Sequence, residues 1–104
     1  MDKIEEIVAN EIFMLTRLRI KFIYQHKDDF LTSTHIGLSP LDMVALLSKI
    51  EDLFLIKFEK SDLNNYGVSS FKKLVEVVKR KLDSRWRHFV ITTYRKKGGD
   101  LDVF

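Results

Sequence analysis

Apolar residues recur at three- and four-residue intervals from the start of the chain. Ile4, Ile7, Val8, Ile12, Leu15, Leu18 and Phe22 fall on one helical face. The pattern predicts a first helix from about Asp2 to about Tyr24. Asp2, Glu5 and Glu6 occupy its opening turns, where carboxylates oppose the positive end of the helix dipole. "HKDD" then breaks the period. Residues 25–38 read as a long loop with apolar anchors at Phe30, Leu31, Ile36 and Leu38. Thr32, Ser33 and Thr34 are turn formers, and Gly37 permits a positive φ just before the next helix.

A second helix is predicted over about Pro40 to Phe54. Ser39 suits the N-cap, Pro40 the first helical position, and Asp42 the first turn. Leu41, Val44, Leu47, Ile50 and Phe54 share a face, with Leu46 and Leu53 alongside. "LIKFEKSDLNNYG" is irregular: Ser61 is positioned to cap one short turn through Leu63 to Asn65, and Gly67 ends it. A further helix opens at Ser69 or Ser70. Its stripe of Phe71, Leu74, Val75, Val78, Leu82, Trp86 and Phe89 is the longest consistent pattern in the chain. "RHFVITTY" is rich in β-branched residues, yet the helical stripe runs into it. The expectation is an all-α fold: three long helices, one short helix and a long first loop, in one domain over residues 1–94 with a frayed tail over 95–104.

Composition supports a folded domain. At 104 residues, 45% hydrophobic and 32% charged, the chain can build one core and is not biased toward disorder. It contains no cysteine, which excludes disulfides, thiolate metal sites and thiol nucleophiles. "MDKIEEIVANEI" alternates charge with aliphatics and lacks a signal-peptide apolar core. No run approaches the roughly 18 apolar residues of a membrane span. The expected location is the cytoplasm. The net charge of +3 is uneven: eight Lys/Arg against three Asp lie from Lys79 onward, so a slightly acidic body carries a basic tail.

With these elements in this order, the sequence resembles an acyl carrier protein. Gly37-Leu38-Ser39-Pro40-Leu41-Asp42 aligns without gaps with the Gly-Ala-Asp-Ser-Leu-Asp pattern that opens the family's second helix. The match continues through Val44, Leu46, Ile50, Glu51, Asp52 and Phe54. Phe58 falls where the family has an apolar residue before its third helix. Val68-Ser69-Ser70-Phe71 resembles the Ile-Thr-Thr-Val that opens the fourth. The resemblance covers about Phe30 to Leu82. It implies an acyl-carrier-protein-like four-helix bundle, with extended first and last helices, that docks biosynthetic enzymes through the second helix. The implied partner-binding residues are Ser39, Leu41, Asp42, Glu51 and Asp52.

The chain departs from that family at the attachment point. Ser39 stands where the family has its aspartate, and Pro40 where it has the serine bearing 4′-phosphopantetheine. Proline has no hydroxyl, so no phosphodiester can form there. Ser39 as N-cap would spend its oxygen on a backbone N–H near Asp42. The preferred reading is therefore a non-enzymatic docking module without a phosphopantetheine arm. The alternative is a true acyl or aminoacyl carrier with the arm on Ser39. Ala45, Ser48 and Lys49 also dilute the family's acidic face. Size and Lys-, Ile- and Phe-rich composition resemble carrier-related proteins of bacterial peptide-maturation systems, which implies maturation enzymes as partners.

Other chemistry is weakly encoded. His26, His35 and His88 match no metal-ligand spacing and read as surface or partly buried side chains, so no metal is assigned. Trp86, between Arg85 and Arg87, could stack on a base. It lies on the apolar stripe, which makes core packing the simpler reading. "YRKKGG" at Tyr94 to Gly99 is a small basic patch, too short to make nucleic-acid binding more than a third alternative. No paired carboxylates, Cys/His dyad or glycine-rich phosphate loop points to an enzyme.

Overall fold

A computed structural model describes residues 1–96, with side chains through residue 84. Among the described residues there are five α-helices and no strand: α1 (Lys3–Thr16), α2 (Ile20–Gln25), α3 (Pro40–Phe54), α4 (Lys60–Leu63) and α5 (Phe71–Lys96). One 3-10 turn, Asn64–Tyr66, follows α4. The all-α expectation holds. "RHFVITTY" lies within α5, as the helical stripe predicted. The side chains of Trp86 and Phe89, those of the basic tail from Arg85 onward, and every residue beyond Lys96 lie outside the described residues.

The expected single first helix is two helices. Thr16 Oγ1 donates to the Ile12 carbonyl at 2.9 Å and accepts from the Leu18 N–H at 3.1 Å. Both bonds draw the backbone away from the helical ladder. Arg17 turns left-handed, φ 63°, and its N–H closes on the Phe13 carbonyl as a C-cap. The stripe breaks with it, leaving Leu15 exposed while Ile12 and Ile23 are fully buried. At the other end, Asp2 and Glu5 form a reciprocal capping box. Asp2 also pairs with Lys79, tying the start of α1 to α5.

α1 packs on α2, α3 and α5. The core draws Val8, Ala9 and Ile12 from α1, Ile23 from α2, Leu46 and Ile50 from α3, and Phe71, Leu74, Val75, Val77 and Val78 from α5. The long loop contributes Leu31, Ile36 and Leu38, three of its four expected anchors. Phe30 is the exception. It is half-exposed and stacks on Tyr66 at 5.6 Å, beside an isolated bridge pairing Phe30 with Ser70. The Leu31 N–H donates to the Ser69 carbonyl at 2.7 Å, which pins the loop to the segment leading into α5.

The connection into α5 differs in one detail from expectation. Glu59, not Ser61, is the N-cap of α4, and the Asp62 carboxylate accepts the Glu59 N–H at 2.7 Å. Gly67 does end the segment, but for lack of a side chain rather than for a positive φ. A Cβ there would stand 1.9 Å from the Asp62 carbonyl oxygen. Ser70 opens α5, accepting the Lys73 N–H at 3.2 Å.

Candidate functional site

The start of α3 is built as its sequence requires. Ser39 is extended at φ −78°, ψ 164°, and its Oγ accepts the Asp42 N–H at 3.0 Å. Asp42 Oδ2 accepts the Ser39 N–H at 3.0 Å, completing a capping box around Pro40 at the first helical position. Gly37 supplies the turn before it at φ 78°, as expected. The Ser39 hydroxyl is thus engaged, and the pyrrolidine ring stands where the resemblance placed an arm-bearing hydroxyl.

The expected core face of α3 is corrected. The helix buries Leu46 and Ile50, supported by Met43, Leu47 and Phe54. Leu41 and Val44, placed on that face from the sequence, are 78% and 65% exposed. Leu53 is also exposed. α3 is apolar on nearly every side, so two stripes with the same period compete for the core. Tertiary packing selects the one through Leu46 and leaves Leu41 and Val44 facing solvent.

The five partner-binding candidates divide accordingly. Ser39, Leu41 and Asp42 lie together at the N-terminal end of α3, while Asp52 is exposed near its C-terminal end. Glu51 is half-buried, and its carboxylate accepts the Phe58 N–H at 2.7 Å. That bond holds the chain after α3, a structural duty the sequence reading did not assign. Beside the same end of α3 lies an open groove of about 610 Å³, lined by Ile7, Asn10, Ile20, Leu53 and Phe54 among others. The sequence reading did not find it, because it depends on the break between α1 and α2.

A second cluster was also missed. His26 Nδ1 lies 2.9 Å, and His35 Nδ1 2.8 Å, from the same Asp29 oxygen. The two imidazoles stack at 4.4 Å, and Phe22 covers His26 at 4.4 Å. The bond from the His26 ring, opposed by partial burial and reinforced by His35, holds the Asp29 carboxyl below the usual carboxylate range. His26 and Asp29 share a turn, but His35 arrives only through the return of the loop. No local spacing rule could have signalled it. His88 lies outside the residues whose side chains are described.

No family model matches this chain, and no curated protein or solved structure does. What the fold and site define is a small all-helical domain with an apolar, capped helix terminus turned to solvent. No helix among the described residues is long and apolar enough to cross a membrane.

Proposed function

We propose that this protein is an acyl-carrier-related docking module that acts without a phosphopantetheine arm. It presents the N-terminal half of α3 to a biosynthetic enzyme, of the kind found in peptide-maturation systems. The observation that carries the reading is the start of α3: Pro40 at the first helical position, Ser39 locked in its cap, and Leu41 and Val44 exposed beside them. Large apolar side chains exposed together at one end of a helix that buries only Leu46 and Ile50 fit a contact surface. The order of elements adds support. A long loop leads into a long helix, then a short helix, then another long helix, as the resemblance implies, although α1 and α2 replace one first helix.

The test uses the intact mass of the full chain after incubation with a broad-specificity phosphopantetheinyl transferase and coenzyme A. The wild-type mass stays unchanged, whereas Pro40→Ser, which restores the hydroxyl, gains one phosphopantetheine. An adduct mapped to Ser39 of the wild type makes the protein a true carrier and overturns the proposal. A Pro40→Ser chain that folds but stays unmodified removes the carrier relationship altogether.

A further inference from the structure

The cluster of His26, Asp29 and His35 plays no part in the α3 surface. We infer that it binds one borderline divalent transition-metal ion, Zn²⁺ being the type, through both histidine Nδ1 atoms and the Asp29 carboxylate.

Two imidazoles and one carboxylate form a donor set suited to Zn²⁺, Ni²⁺, Cu²⁺ or Fe²⁺. Mg²⁺ and Ca²⁺ prefer oxygen throughout. The spacing fits the same ions. Neighbouring ligands on an octahedral ion with bonds of about 2.1 Å stand about 3.0 Å apart, and on a tetrahedral ion about 3.4 Å apart. The two Nδ1-to-Oδ2 separations are 2.9 and 2.8 Å, and one ligand atom from each residue lies within 4.8 Å of the others. Small outward rotations of the side chains therefore admit an ion.

The ligands are also held in place. His26 caps the C-terminus of α2, and the Asp29 N–H donates to its carbonyl at 3.1 Å. The imidazole planes are inclined by only 29°, and both Nδ1 atoms meet the same carboxylate oxygen. Ligand positions of that kind are neighbours on one side of an ion. The His35 side chain is 57% exposed, so a hydrated ion can enter and water can complete its shell. Binding would fasten the C-terminal end of α2 to the loop that leads into Ser39.

The full chain, stripped with a chelator and dialysed, is titrated with Zn²⁺ by calorimetry and with Co²⁺ by visible absorption. Uptake saturates at one ion per chain and raises the melting temperature. His26→Ala, Asp29→Asn and His35→Ala each lower Zn²⁺ affinity more than about tenfold. His88→Ala leaves it at the wild-type value. Imidazole ¹⁵N spectra of the wild type need no variant, and there Zn²⁺ moves the Nδ1 resonances of His26 and His35. That measurement decides the matter if a variant fails to fold. Absent uptake, equal uptake by His26→Ala and His35→Ala, or shifts at His88 alone would each overturn the site and leave a hydrogen-bonded clasp. None of these readouts depends on the docking role of α3.

Discussion

Asp62 is buried, and its Oδ2 lies 2.7 Å from the ammonium nitrogen of Lys81 on α5. Its other oxygen accepts from Arg80 at 2.8 Å, and its carboxylate also receives the Glu59 N–H. One side chain thereby caps α4 and fastens it to α5. Removing a partner from a buried pair strands the remaining charge. Asp62→Asn is expected to cost about 3 kcal/mol, read as a lower midpoint in chemical denaturation with an unchanged slope. A loss under about 0.5 kcal/mol would mean that the pair is solvated in solution.

The same carboxylate should contribute to acid sensitivity, alongside Asp2 and Asp29, which are also held below the ordinary range. Burial alone would raise the Asp62 pKa, but the Lys81 ammonium, the Glu59 amide and the Arg80 guanidinium outweigh it and hold the group below its ordinary value of 3.8. Glu59 is a further charge close by, 3.3 Å from Lys81, and Lys73 and Glu76 line the same pocket as Asp62. A carboxyl whose folded pKa is depressed stabilises the fold above its unfolded pKa. That stability is lost as pH falls through the folded value. Denaturation midpoints measured from about pH 5 to about pH 2 should therefore fall in the wild type. They should fall less steeply in Asp62→Asn. Parallel curves would assign the acid limb to other carboxylates.

The register of α3 separates two leucines that the sequence pattern grouped together. Leu46 is 1% exposed and Leu41 78% exposed. Leu46→Ala is expected to cost about 3 kcal/mol through lost burial and a residual cavity. Leu41→Ala should cost under about 0.5 kcal/mol. Equal losses would place Leu41 in the core and remove the exposed surface on which the docking proposal stands.

Two glycines make a sharper comparison. Gly37 needs its positive φ, yet a Cβ there meets open space, so Gly37→Ala carries only conformational strain of about 1 kcal/mol. Gly67 has an ordinary φ but no room, and a Cβ would run into the Asp62 backbone. Gly67→Ala must displace the α4 turn and is expected to cost more than about 2 kcal/mol. The reverse order in thermal denaturation would contradict the close approach of residues 62 and 67.

Much of this fold is legible locally. The bounds and cap of α3, the start of α5 and the turn at Gly37 each follow from residues within four positions of one another. Capping and turn preferences act over that range. The rest either carries no distinctive local signal or depends on distant partners. The break at Arg17 has no glycine or proline to announce it, and a threonine hydroxyl makes it instead. The core face of α3 is undetermined where apolar residues surround the helix, since only α1 and the other packed segments decide between stripes. The meeting of His26 with His35, and of Asp62 with Lys81, comes from loop closure and helix docking that no periodicity records.

The proposed docking surface depends on what the Ser39 hydroxyl does. As an N-cap it satisfies the Asp42 N–H, and the reciprocal bond satisfies its own N–H. Ser39→Ala removes the cap acceptor and is expected to lower stability by about 1 kcal/mol. Ser39→Asp keeps an acceptor in the same place and adds charge favourable to the helix dipole, so it should retain wild-type stability. A hydroxyl held in that bond is a poor nucleophile toward a transferase, because attack requires it to leave the cap and orphan a backbone donor. Were Ser39→Ala as stable as the wild type, the hydroxyl would be free. This helix start would then offer no physical reason to favour docking over modification.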